Sequence, residues 1–184
     1  MLDAGEDPLF LARRVVRMAV EDIGLADPQA LVICNAAKEA FDFLGSPEGE
    51  LAIAQAVIYL ATAPKSNAAY KAFGAAKRVA KEGGSLLPPK HILNSPTRLM
   101  KDEGYGAGYE YDHDTPEAFS GQDYFPEKMG RQTFYDPPER GFERDIRKRL
   151  EWWAKLRKER NPRWYLPDWA FIEEGKKVPP PDSP

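Results

Sequence analysis

Asp112-His113-Asp114 is the one cluster in this sequence that resembles a set of metal ligands. A hard divalent cation needs several convergent oxygens, and zinc needs more imidazole or thiolate than His91, His113 and Cys34 supply. Adjacent residues seldom all turn toward one ion. The favoured reading is therefore structural: Asp114 caps a turn at Thr115-Pro116, Asp112 meets a basic partner, and His113 packs. Gly104, Gly106 and Gly108 give a glycine-rich stretch, but no strand precedes it and no helix directly follows. It lacks the geometry that aims backbone N–H groups at a phosphate. A G-x-x-x-x-G-K-[ST] loop is absent. His91 has no acid or nucleophile beside it, and no Ser/His/Asp or Cys/His set stands out. In Ala63-Pro64-Lys65-Ser66-Asn67, Lys65 and the free N–H groups of a following helix could hold an acidic group. A helix stop followed by a cap is the favoured account. No catalytic residue and no metal site are expected.

The elements that would carry these residues are helices. Asp7-Pro8, Asp27-Pro28 and Ser46-Pro47 each put a capping side chain before a proline at the first helical position. Ser66 or Asn67 can cap a fourth helix. The expected helices are 8–23, 28–44, 47–62 and 67–82, with Gly24, Gly45 and Gly83 marking ends. The third is apolar almost all round, so it belongs at the centre of a bundle or of an oligomer interface. Its interface candidates are Ile53, Val57, Ile58, Tyr59 and Leu60. On the fourth helix, Ala69, Ala72, Phe73, Ala76, Val79 and Ala80 share one arc. Lys71, Lys77, Arg78 and Lys81 lie opposite, with Tyr70 among them. Arg13, Arg14 and Arg17 share a face of the first helix. A solvated face is the default for such stripes, and contact with nucleic-acid phosphates is the sharper alternative, with Lys65 as a further candidate.

Beyond Gly83-Gly84 the character changes. A proline-bearing connection leads to a short helix after Ser95-Pro96. Residues 103–129 then crowd glycines, acids, Tyr105, Tyr109, Tyr111, Phe119, Tyr124 and Phe125 into a segment with no helical or strand period. A passive linker would not carry so many rings. The segment reads as a long ordered loop, a clasp pinned by Tyr105, Tyr109, Tyr111, Tyr124 and Phe125. Its acids would face a basic last helix, about 138–160, whose Phe142, Ile146, Leu150 and Trp153 form a docking seam. The reading is thus a core over 1–82, an aromatic segment and docking helix over 83–160 in the same domain, and a partly disordered tail over 161–184. At 184 residues, 42% hydrophobic and net charge −3, the chain is of ordinary globular composition, with no charge excess that argues for nucleic acid or membrane. No signal peptide or bilayer-spanning apolar run is evident, so a cytoplasmic location without a membrane partner is expected.

Several segments in order resemble the C-terminal region of the replication-associated recombination protein A family. These proteins are relatives of the Werner-helicase-interacting AAA+ ATPases and akin to clamp loaders. The segments are EDPLFLARRVVRMAVEDIGLADP, GSPEGELAIAQAVIYLATAPKSNAAY, SPTRLMKDEGYGAGYEYDHD, QDYFP and ERGFERDIRKRLEWWAKLR. The resemblance implies an all-α helical bundle like a clamp-loader collar, which holds ATPase subunits in a homotetramer. It implies a fragment without cofactor, with ATP and Mg bound by the longer parent. It further implies DNA contact through the parent, and replication proteins such as single-strand-binding protein as partners.

Overall fold

The computed structural model describes residues 1–160 together with the two-residue strands Ile172–Glu173 and Lys176–Lys177. The described body is all-α, with six α-helices, and the two strands pair antiparallel. The expectation of a partly disordered tail over 161–184 falls, those two strands apart, on residues outside that description. The chain divides into two compact units: Met1–Lys81 with Thr133–Lys148, and Glu82–Gln132 with Arg149–Pro184. Residues 133–148 thus belong with the bundle, whereas the sequence reading ended the core at 82.

In the first unit, α1 (Pro8–Met18) starts where the Asp7 carboxylate accepts the Leu9 N–H at 3.0 Å, with Pro8 at the first helical position. It does not run on as an α-helix to 23. A π-helical turn (Ala19–Ile23) and a 3-10 turn (Gly24–Ala26) follow. Gly24 holds a positive φ of 54°, and a Cβ there would stand 2.8 Å from the Ser66 carbonyl oxygen. α2 (Gln29–Leu44) is opened by Asp27, which accepts the Gln29 N–H at 3.1 Å and the Tyr59 hydroxyl at 2.6 Å. α3 (Glu50–Thr62) begins three residues later than the Ser46-Pro47 signal suggests. That signal is spent on a turn, with the Gly49 N–H bonded back to the Gly45 carbonyl at 2.6 Å. α4 (Ala68–Gly83) starts at Ser66, whose hydroxyl accepts the Ala68 N–H.

Small residues dominate the core: Ala12, Ala19, Ala30, Cys34, Ala37 and Ala56 are buried, with Val15, Ile23, Ile53 and Leu60 as the larger members. Burial pushes the Cys34 thiol up, which keeps it an unreactive core residue. Residues 133–148 close this unit. The Phe142 N–H bonds to the Ala26 carbonyl at 2.8 Å. Gly141 beside it has φ +50°, and a Cβ there would lie 2.0 Å from that same oxygen. Glu143 is fully buried and accepts the Tyr135 hydroxyl at 2.7 Å. Burial first, and that bond second, raise the Tyr135 phenol far above its ordinary value. α6 (Glu143–Arg160) therefore starts after a turn over 138–142 instead of at Pro138.

The second unit holds a 3-10 turn (Lys90–Ile92), α5 (Arg98–Asp102) and a 3-10 turn (Asp112–Asp114). Thr97 caps α5 by accepting the Met100 N–H. The later part of α6 belongs here as well.

Because only glycine fits at Gly141, Gly141→Ala should lower the stability of the first unit by about 2 kcal/mol or more. Urea denaturation followed by circular dichroism measures this, and a change within about 0.5 kcal/mol, typical of a surface substitution, would contradict the close approach.

Candidate interaction surfaces

α3 is apolar on both sides, but only one side is used. Ile53, Ala56 and Leu60 recur at helical spacing and face the core formed with α1 and α2. Ile53 and Leu60, named as interface candidates from sequence, are 4% and 2% exposed, so the fold itself consumes them. Tyr59 is half-buried and committed to Asp27, whose hydrogen bond pushes its phenol up. Val57 and Ile58 point outward, Ile58 at 66% exposure. Leu51, one heptad before Ile58, joins them at 75% exposure, and Ala54 and Ala61 are exposed in the same stripe. Leu51 was missed as a candidate, although the seven-residue spacing to Ile58 was available as a signal. The stripe carries no charge.

The cationic candidates separate into bound and free groups. Lys65 donates its ammonium to the Leu60 and Ala63 carbonyls, which closes the C-terminal end of α3. Arg140 donates to the Lys65 carbonyl at 3.2 Å. Lys65 is therefore a structural cap, and its ammonium is not free for an outside acid. On α1, Arg13 pairs with Asp7 at 3.6 Å and Arg17 with Glu21 at 2.9 Å, while Arg14 is exposed. On α4, Ala68 is the one buried residue among those described. Lys77 sits over the Phe73 ring at 5.3 Å. Lys71, Arg78 and Lys81 are exposed and make no ion pair among the described residues.

In the second unit the aromatic segment is anchored by a ring outside the named set. Phe119 stacks on Trp153 of α6, with centroids 5.7 Å apart and planes 7° from parallel. Arg157 lies over the same Phe119 ring at 5.0 Å. Arg160 pairs with Glu117 and donates to the Phe119 carbonyl, so one acid of the segment does meet a base of the last helix. Asp123, nearly fully buried, accepts the Phe125 N–H and lies 3.7 Å from Arg131. Tyr109, Tyr111 and Tyr124 are each about half-exposed, and Tyr105 lies beneath the Lys90 ammonium at 5.8 Å. Of the rings named from sequence, Tyr105 and Phe125 are half-buried and Tyr109, Tyr111 and Tyr124 are exposed.

The cluster with the look of metal ligands is built differently. Asp112 makes no ion pair among the described residues; it accepts the Ser120 N–H at 2.7 Å. Thr115, not Asp114, caps the turn, its hydroxyl accepting the Phe119 N–H. His113 packs on Tyr111 with centroids 5.0 Å apart. Among the described residues no group of three or more His, Cys, Asp or Glu side chains converges as a metal site would require. No helix among them is long and apolar enough to cross a membrane.

Comparison with known proteins gives the family. Residues 1–154 match the family described as MgsA AAA+ ATPase C terminal. A Replication-associated recombination protein A of Coxiella burnetii is 55% identical over 157 residues, covering 85% of this chain and 36% of that protein. The protein of the same name in Escherichia coli strain K12 is 47% identical over 156 residues, covering 84% and 35%. An ATPase WRNIP1 of Dictyostelium discoideum is 42% identical over 141 residues, covering 74% and 16%. The chain spans about a third of the length of the first two relatives. It belongs to the MgsA AAA+ ATPase C-terminal family.

Asp112 gives the second unit a measurable handle. Its hydrogen bonds from Ser120 hold the carboxyl below the usual carboxylate range. A carboxyl lowered on folding stabilises above its unfolded value of about 3.9 and ceases to as pH falls through its folded value. Amide exchange at Ser120 should therefore stay protected from neutral pH down to about 4 and lose protection below it. Asp112→Ala should accelerate that exchange at neutral pH and abolish its acid dependence; a Ser120 amide equally protected in both proteins would contradict the bond.

Proposed function

We propose that this chain is the assembly module of an AAA+ ATPase acting in replication-associated recombination, and that it joins copies of itself through the outer stripe of α3. The observation that carries this reading is the uncharged, exposed row Leu51, Ala54, Val57, Ile58 and Ala61. An apolar row without charge is self-complementary: two copies can meet there without burying an unpaired ion. The alanines between the larger side chains allow close approach. Each large aliphatic side chain contributes up to about 1.5–3 kcal/mol when fully buried. Three from each of two copies therefore compete with an association cost of about 4–15 kcal/mol. The balance predicts assembly that depends on concentration, to which exposed Phe43 and Leu44 at the end of α2 can add.

On this reading nucleotide hydrolysis, with its ATP and Mg, belongs to parts of such proteins beyond this chain, and the module contributes no catalytic group. A homotetramer in the cytoplasm, brought to DNA and to replication proteins by the ATPase it joins, is the arrangement we propose. The names of the relatives support the setting, and the α3 stripe supports the mode of joining.

Sedimentation at micromolar concentration should give the wild-type chain a mass that is a multiple of the monomer. Ile58→Glu should reduce it to the monomer with helical circular dichroism unchanged, whereas Leu60→Glu, on the inner face, should unfold the first unit. A monomeric wild type, or an Ile58→Glu protein that still assembles, would overturn the reading.

A further inference from the structure

α4 carries a surface that self-association through α3 does not use. Its covered side is made of small residues, with Ala69, Ala72, Ala75, Ala76 and Val79 half-buried above buried Ala68. Its outer side repeats at 70, 73, 74, 77 and 81, the spacing of one helical face. Tyr70 and Phe73 stand there 59% and 66% exposed. Lys77 and Lys81 follow, and Lys71 and Arg78 flank the row one heptad apart. Glu82 is the sole acid of the helix, and it makes no ion pair with Arg78 four residues before it.

At the middle of this face is Gly74. Its neighbours at i−4, i−3, i+3 and i+4 are Tyr70, Lys71, Lys77 and Arg78. The helix gains nothing from a glycine there, since alanine would favour it by about 1 kcal/mol. Nothing lies within 4 Å of where its Cβ would stand, so packing does not require it. The glycine leaves a low spot ringed by three cations and a tyrosine. Phosphate needs cations around an accessible surface, and a base needs an exposed ring to stack on.

We propose that the outer face of α4 binds single-stranded nucleic acid, with Lys71, Lys77, Arg78 and Lys81 holding phosphates around Gly74 and with Tyr70 and Phe73 stacking on bases. An acidic protein segment would use the cations but would have less use for two exposed rings beside them. The row from Tyr70 to Lys81 runs roughly 16 Å along the helix axis, so the site tracks a short stretch of strand.

The test uses the whole chain and a fluorescent oligothymidylate titrated at several salt concentrations. Four phosphate contacts on a single strand predict a slope of log affinity on log salt near about −3, or roughly a 50-fold loss between 50 and 200 mM salt. Lys71→Glu with Arg78→Glu should at least halve that slope and weaken binding more than about tenfold at 50 mM salt. Tyr70→Ala with Phe73→Ala should weaken binding about tenfold while leaving the slope unchanged. Gly74→Leu, at a position where an added Cβ meets nothing within 4 Å, should weaken binding with helicity retained. Equal binding of oligouridylate would support the proposal, because phosphates and bases are common to both strands. Absence of binding at 50 mM salt, or binding indifferent to all three variants, would overturn it. So would polyglutamate competing as well as the oligonucleotide, which would assign the face to an acidic protein instead. The mass of the Ile58→Glu protein is read separately, so the two surfaces stand or fall independently.

Discussion

The packing of α3 through small residues is the constraint on which the first unit depends. Ala30, Cys34 and Ala37 of α2 and Ala56 of α3 are all buried, and residues of that size let helix axes approach closely. A close approach needs only a narrow stripe of α3, which Ile53, Ala56 and Leu60 provide. The opposite stripe, Leu51, Ala54, Val57, Ile58 and Ala61, is then left exposed. The same choice that makes the core tight leaves Leu51 and Ile58 in water. The proposed interface would cover that row, and contiguous exposed apolar patches commonly mark interaction sites.

The closing segment of the first unit works by the same logic of close approach. Gly141 brings the backbone against Ala26, and Glu143 is buried where Tyr135 can bond to it. Lys65 and Arg140 tie the α3–α4 connection to this turn through backbone carbonyls. In the second unit Phe119 of the aromatic loop meets Trp153 by stacking and Arg157 by its guanidinium, and Arg160 pairs with Glu117 beside it. Charged side chains in both units thus act largely as carriers of hydrogen bonds and ring contacts. Exposed ion pairs such as Arg13–Asp7 contribute little by comparison.

Much of the first unit was legible because capping is local chemistry. Asp7, Asp27 and Ser66 do what their positions beside Pro8, Pro28 and α4 imply. Ser46-Pro47 misled because the same dipeptide also suits a turn, and only the Gly49 to Gly45 bond decides between the two. The two faces of α3 were not separable by pattern, since an apolar helix has no polar side to mark the outside. Glu143 was invisible for the opposite reason: it sits in a run of charges, and its burial depends on Tyr135, eight residues away. Lys65 looked free because its acceptors are backbone carbonyls, which leave no trace in side-chain sequence. On α4 the cations and Tyr70 were readable as an outer face, whereas Phe73, assigned to the opposite arc, stands exposed beneath Lys77, and the open space over Gly74 needed coordinates.

The central claim is that α3 has an inner face for folding and an outer face for assembly. Hydroxyl-radical footprinting of side chains across a dilution series tests it most directly. Ile53 and Leu60 should stay protected at every concentration, while Leu51, Val57 and Ile58 should pass from reactive to protected as the chain is concentrated. Outer-face residues that remain equally reactive up to the highest concentration would contradict the account.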